Sequence, residues 1–142
     1  LLDHPRNKSD EMLKKLADKG GFVGVVAYTP FMPKGDDSTV EDVLDGFEYM
    51  IGLVGEDQVG IGTDFTQGQE TAFFHYLRSD KGLGRQLSKP MAKRPDNPIG
   101  LDGPAEYPNL TAAMVARGWS ESRIRKILGD NWLGFLEEVW GA

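Results

Sequence analysis

Asp64 and Arg6 are the residues of this 142-residue chain whose type and setting suit them to chemistry. Asp64 ends the run Val59-Gly60-Ile61-Gly62-Thr63. A carboxylate at the carboxyl end of a parallel strand points into the mouth where barrel enzymes keep their sites. The alternative is a cap that accepts backbone N–H groups in the following turn. Arg6, in His4-Pro5-Arg6-Asn7 ahead of a helix start, could clamp a carboxylate with its planar fork. The plainer reading is a solvated arginine. His4 and His75 are the only histidines, with no HxH or HxxxH spacing, and each reads as a structural or surface side chain. Cysteine is absent, which excludes disulfides, thiolate nucleophiles and cysteine-based metal sites. A metal held here would need carboxylates or ligands from another chain.

The elements that must position these residues follow from pattern. Ser9 caps a helix through Asp10, Glu11, Met12, Leu13, Leu16 and Ala17, stopped by Gly20-Gly21. Phe22 to Tyr28 is a short apolar, β-branched run that reads as a strand buried on both faces and ended by Pro30 and Pro33. Ser38-Thr39-Val40-Glu41 has capping-box spacing, and Val40, Val43, Leu44, Phe47, Ile51 and Val54 recur at helical period until Gly55. Val59 to Phe65 reads as a second buried strand whose glycines leave room for a close neighbour. Strand, helix, strand makes a parallel βαβ unit.

Residues 66–104 weaken the pattern: a short helix near Thr71 to Arg78, a basic stretch from Lys81 to Arg94, then a Pro/Gly-punctuated loop, together a long excursion of the binding-loop kind. Residues 108–142 form the tail, with helices expected at Asn109–Arg117, Ser120–Leu128 and Asp130–Trp140, separated at Gly118 and Gly129. Arg123, Arg125 and Lys126 in the tail could suggest a DNA-binding helix pair, but apolar residues at helical spacing favour packing against the rest of the fold.

Composition narrows the classes further. A net charge of -6 and a pI near 4.9 oppose a general phosphate-binding surface, so no nucleic-acid partner is expected. No apolar run is long enough to span a bilayer, and the expectation is a soluble, cytoplasmic protein with no membrane partner. Gly60, Gly62 and Gly68 do not make GxGxxG, which removes a dinucleotide fold. Two strands cannot finish a sheet, and a (β/α)8 barrel takes about 250 residues. The chain, opening on Leu1, is therefore expected to be one partial domain over residues 1–142, α/β in class. It reads as the last part of a (β/α)8 TIM-type barrel, completed by self-association or by a missing N-terminal half.

Asp3-His4-Pro5-Arg6-Asn7 with Ser9-Asp10-Glu11, the strand ending at Tyr28, Val59-Gly60-Ile61-Gly62-Thr63-Asp64-Phe65, Pro108-Asn109-Leu110-Thr111, Arg117-Gly118-Trp119-Ser120 and Ile127-Leu128-Gly129-Asp130-Asn131-Trp132 occur in an order that resembles the C-terminal part of the renal (membrane) dipeptidase family. The resemblance implies a (β/α)8 metallohydrolase with two zinc ions, bridged by a glutamate and by a hydroxide that attacks a dipeptide's peptide carbonyl. The family's metal ligands, an HxD pair, the bridging glutamate and two histidines, would all lie upstream of Leu1. By the same resemblance Arg6 holds substrate and the developing oxyanion. Asp64 meets the substrate's amino group and assists proton transfer, and Tyr28 and Phe31 line the pocket, Phe31 without the hydroxyl some relatives carry. The expectation is that the chain alone hydrolyses no dipeptide. The competing expectation is a non-catalytic binding or assembly protein built on a half-barrel, with the C-terminal helices as its contact surface.

Overall fold

The computed structural model describes residues 2–66, 68–77 and 96–141. Helix α1 (Asp10–Ala17) begins where the Ser9 hydroxyl accepts the Met12 N–H at 3.3 Å, with Asp10 and Glu11 in the turn where the helix dipole favours negative charge. It ends as Gly20, at φ 75°, lets the chain reverse and Gly21 N–H return to Leu16 O at 2.9 Å.

Strand β1 (Val23–Val25) and strand β2 (Val59–Ile61) pair in parallel, Gly24 opposite Gly60. Regular pairing is shorter than the apolar runs suggest, yet Gly62 N–H to Val25 O (3.0 Å) and Ala27 N–H to Thr63 O (3.3 Å) carry the contact to the strand ends. Burial differs between the two strands: in β1, expected to be buried on both faces, Val25 is buried while Gly24 is exposed, whereas in β2 both Val59 and Gly60, on opposite faces, are buried. The backbones of Gly24 and Gly62 approach closely: a Cβ on Gly62 would lie 3.0 Å from Gly24 Cα.

Helix α2 (Val40–Val54) crosses between the strands and buries Val43, Leu44, Phe47 and Met50 against them. Its capping box sits one residue later than expected. Thr39 N–H donates to the Asp42 carboxylate at 2.8 Å, whereas Ser38 is extended: Ile99 N–H donates to Ser38 O at 2.8 Å and Val40 N–H to Ile99 O at 2.9 Å. That short parallel bridge, Thr39 to Ile99, pulls Ser38 out of the cap position and stitches the returning excursion to α2. Of the excursion itself, α3 (Thr71–Leu77) is present. Arg78 and the basic stretch Lys81 to Arg94 lie outside the described residues.

In the tail, α4 (Tyr107–Ala116) starts two residues before the expected Asn109 and turns at Gly118, φ 76°. The second tail break does not exist. Helix α5 (Glu121–Arg125), a π-helical turn (Lys126–Asp130) and α6 (Asn131–Trp140) form one continuous helical run, so Gly129 lies inside the π turn instead of separating two helices. Leu110, Met114, Ile124 and Ile127 join the α2 face in one buried core. Phe22 and Trp132 cover Gly60, their ring centroids 4.2 Å apart, and Phe135 packs on Phe22 at 5.6 Å. Asn131 donates to Glu56 O and Val59 O, and the Trp132 indole to Ile61 O at 2.8 Å. The tail therefore covers the start and the Gly60 face of β2, and contributes no residue to the cavity that Gly62 and Asp64 border beyond it. No helix among the described residues is long and apolar enough to cross a membrane.

Candidate functional site

Asp64 leaves β2 at its carboxyl end, exposed and at φ 62°, the only non-glycine residue with positive φ among those described. Aspartate tolerates this region better than most residues, but holding a side chain there costs of order 1–3 kcal/mol unless the surroundings enforce it. Among the described residues nothing donates a hydrogen bond to its carboxylate or pairs with it, so the bond that a turn cap requires is not made.

Arg6 reaches the same place from the loop before α1. Its guanidinium carbon lies 4.8 Å from the centroid of Phe31, and its backbone N–H donates to His4 Nδ1 at 3.2 Å. The His4 ring sits 4.6 Å from Phe31, and the Tyr28 ring meets Phe31 edge-on at 4.9 Å. The Asn7 side-chain amide ties the loop to Phe31 O at 3.3 Å and to Leu2 O at 3.0 Å. Among the described residues no carboxylate forms an ion pair with Arg6, which leaves a cation on an aromatic platform with its fork free for an anionic group.

Arg6, Phe31 and Asp64 line one cavity of about 740 Å³, walled by β1, by Asp10 and Leu13 of α1 and by Gly46, Tyr49 and Met50 of α2. Tyr28 is not among its lining residues and reaches it through Phe31. Asp42 also borders the cavity, but its carboxylate is committed to Lys34 at 2.7 Å and to Thr39. Burial alone would raise its pKa; the bonds from Lys34 and Thr39 outweigh it and hold the group below the ordinary value. His75 lies on α3, away from the cavity lining. Among the described residues no three histidine or acidic side chains converge as a metal-holding group, so these described residues do not by themselves fit a metal centre.

Tyr107 was not legible as a site neighbour. Its hydroxyl stands 3.5 Å from Thr63 Oγ1 and its ring centroid 6.2 Å from that of Phe65, on either side of Asp64. Only the helix-start loop Gly103-Pro104 preceding it marks the position in sequence.

The family model of membrane dipeptidase (peptidase family M19) matches residues 1–75. The dipeptidase ataJ of Aspergillus terreus is 32% identical over 141 residues, 98% of this chain and 28% of that protein. The dipeptidase tcpJ of Claviceps purpurea is 29% identical over 141 residues, 98% of this chain and 27% of that protein. Among solved structures, an amidohydrolase from Pseudomonas aeruginosa superposes with a TM-score of 0.90 at 49% identity, over 99% of this chain and 42% of its own. A metallopeptidase from Rhodobacter sphaeroides, liganded with a phosphinate mimic of the dipeptide L-Ala-D-Ala, superposes with a TM-score of 0.70 at 29% identity, over 95% of this chain and 32% of its own. The chain thus spans less than half the length of each of these relatives. With residues 1–75 of its 142 matched by the family model, the chain belongs to the membrane dipeptidase family.

Proposed function

We propose that these residues are the C-terminal part of a (β/α)8 dipeptidase barrel and supply the substrate-facing wall of its site. The observation that carries the reading is that Arg6 and Asp64, far apart in sequence, border one cavity at the strand ends with no charged partner among the described residues. The similar metallopeptidase from Rhodobacter sphaeroides holds a dipeptide mimic, which supports a dipeptide as substrate. In this reading the Arg6 guanidinium binds the negative charge on the substrate and on the carbonyl oxygen as it develops. Asp64 accepts the substrate's ammonium group and takes part in proton transfer. Phe31 gives the pocket an aromatic face under Arg6, and Tyr28 packs edge-on against Phe31 from outside the cavity.

The family's metal, read as a pair of zinc ions, finds no fitting ligand set among the described residues, and the proposal assigns its ligands to residues outside this sequence. The missing wall, or a second copy of the chain, then covers the open edge of β1 that borders the cavity.

The test has two arms. The 142-residue chain alone, dialysed and assayed, should retain no stoichiometric zinc and turn over no simple dipeptide; zinc together with turnover overturns the partial-site reading. In the complete enzyme carrying these residues, Arg6→Lys should lower kcat/KM by roughly ten- to a hundredfold, the loss of a charged, forked hydrogen bond. Asp64→Asn should cut turnover at least as far with metal content unchanged. Turnover within a few fold of the parent would return Asp64 to a purely conformational role.

A further inference from the structure

The Asp64 carboxylate makes no hydrogen bond or ion pair among the described residues, so its backbone, which sets the Cα–Cβ vector, decides which way the side chain leaves the strand end. That backbone lies in the left-handed region at φ 62°, where a non-glycine residue stays only if its neighbours are held. Both neighbours are held by the same side chain. The Tyr107 hydroxyl is 3.5 Å from Thr63 Oγ1, and the Tyr107 ring faces Phe65 with centroids 6.2 Å apart and planes 33° off parallel. Tyr107 is itself fixed: it opens α4, whose Leu110 and Met114 are fully buried, and its carbonyl accepts the Thr111 hydroxyl at 3.3 Å. From the other side, Ala27 N–H donates to Thr63 O at 3.3 Å.

We propose that Tyr107 is a positioning residue for Asp64, bracing Thr63 and Phe65 so that the carboxylate between them stays aimed at the cavity mouth. The role given to the carboxylate rests on the reading of Asp64 as substrate-facing; the brace itself does not. Release of the brace lets Asp64 relax to negative φ, which swings the side chain away from the cavity that Arg6 also lines. Tyr107 touches neither substrate nor reacting atoms, and it acts only through the strand end.

Two measurements test this. In the 142-residue chain, the Asp64 Cα and Cβ chemical shifts report its left-handed backbone, and exchange of the Ala27 amide reports the Thr63 contact. Tyr107→Leu should move the Asp64 shifts toward ordinary values and speed Ala27 exchange. Tyr107→Phe, which keeps the ring and the packing, should speed exchange by only about two- to tenfold, the worth of one neutral hydrogen bond. Unchanged shifts and exchange in Tyr107→Phe and in a folded Tyr107→Leu would overturn the brace. In the complete enzyme, Tyr107→Phe should lower kcat by a similar factor with KM nearly unchanged, and should cause no further loss on an Asp64→Asn background. If Asp64→Asn alone is silent, the substrate-facing reading fails while the brace stands on the spectra. If Asp64→Asn cuts turnover and Tyr107→Phe adds fully to it, Tyr107 does not act through Asp64.

Discussion

Replacing Asn131 tests how the tail holds the strands. Its side-chain amide donates two hydrogen bonds to main-chain carbonyls, Glu56 O at 2.6 Å and Val59 O at 2.8 Å, at the start of β2. A neutral hydrogen bond contributes about 0.5–1.5 kcal/mol net, so Asn131→Ala should cost about 1–3 kcal/mol. Asn131→Asp keeps the shape but turns a carboxylate toward two carbonyl oxygens in a part-buried site. It loses both bonds and adds a desolvated, unpaired charge, for a total of about 3–4 kcal/mol at neutral pH. With a urea slope of about 2 kcal/mol/M, the unfolding midpoint should fall by about 1 M for alanine and nearly 2 M for aspartate. The introduced carboxyl has its folded pKa raised, because only the protonated form can donate to a carbonyl. The gap between Asn131→Asp and Asn131→Ala should therefore narrow as pH falls through that raised value. Circular dichroism under urea, at one fixed protein concentration because association shifts apparent stability, gives both numbers. An Asn131→Asp midpoint within about 0.2 M of the parent is less than one neutral hydrogen bond and would refute the reasoning.

Glu56 accepts from Arg123 Nε at 2.8 Å and Lys126 Nζ at 3.1 Å, and these bonds, Arg123 first, hold its pKa below the ordinary 4.5. Because the folded value is depressed, this stabilisation is complete above the unfolded pKa and lost as pH falls through the folded one. Melting temperatures of the parent and Glu56→Gln should thus differ most above about pH 4.5 and converge below it; a difference independent of pH would contradict the pairing. Gly62→Ala would set a Cβ 3.0 Å from Gly24 Cα and 3.1 Å from its carbonyl carbon, backbone that can move only by separating the strands. It should cost about 1–3 kcal/mol in urea titration. Gly52→Ala, on α2 with nothing within 4 Å, should instead stabilise by about 0.5–1 kcal/mol, and reversal of that order would show the strand approach to be loose.

Much of this arrangement is legible because it is local. The Ser9 cap, the apolar period of α2 and the turn at Gly118 are each decided by residues within one or two turns of chain. The exits of the two strands were legible for the same reason, and with them Asp64 at the end of its run. What misled depends on partners far along the chain. Ser38 has the spacing of a cap, but Ile99 claims its carbonyl and moves the box to Thr39 and Asp42. Gly129 looks like a helix stop, yet the helix runs through it as a π turn, with Ile127 buried in the core on one side and Asn131 anchored to Val59 on the other. Tyr107 could not be tied to Asp64 from spacing, because a 44-residue separation, part of it outside the described residues, lies between the hydroxyl and Thr63. The Arg6 platform is intermediate: the arginine was visible as chemistry, while the stacking of Phe31 between it, His4 and Tyr28 emerges only when β1 and the first loop meet.

The cover on the start of β2 has a consequence in time. Asn131 and Trp132 reach back 71 to 75 positions to Glu56, Val59 and Ile61. At a synthesis rate of about 5–20 residues per second, the strand bearing Asp64 is made about 4–15 s before the side chains that anchor its beginning. For that interval the Phe22 ring and the bare carbonyls of β2 face whatever surrounds the nascent chain, including chaperones and neighbouring copies. The last helix then acts as a latch on β2, closing after the residues that border the cavity have been made.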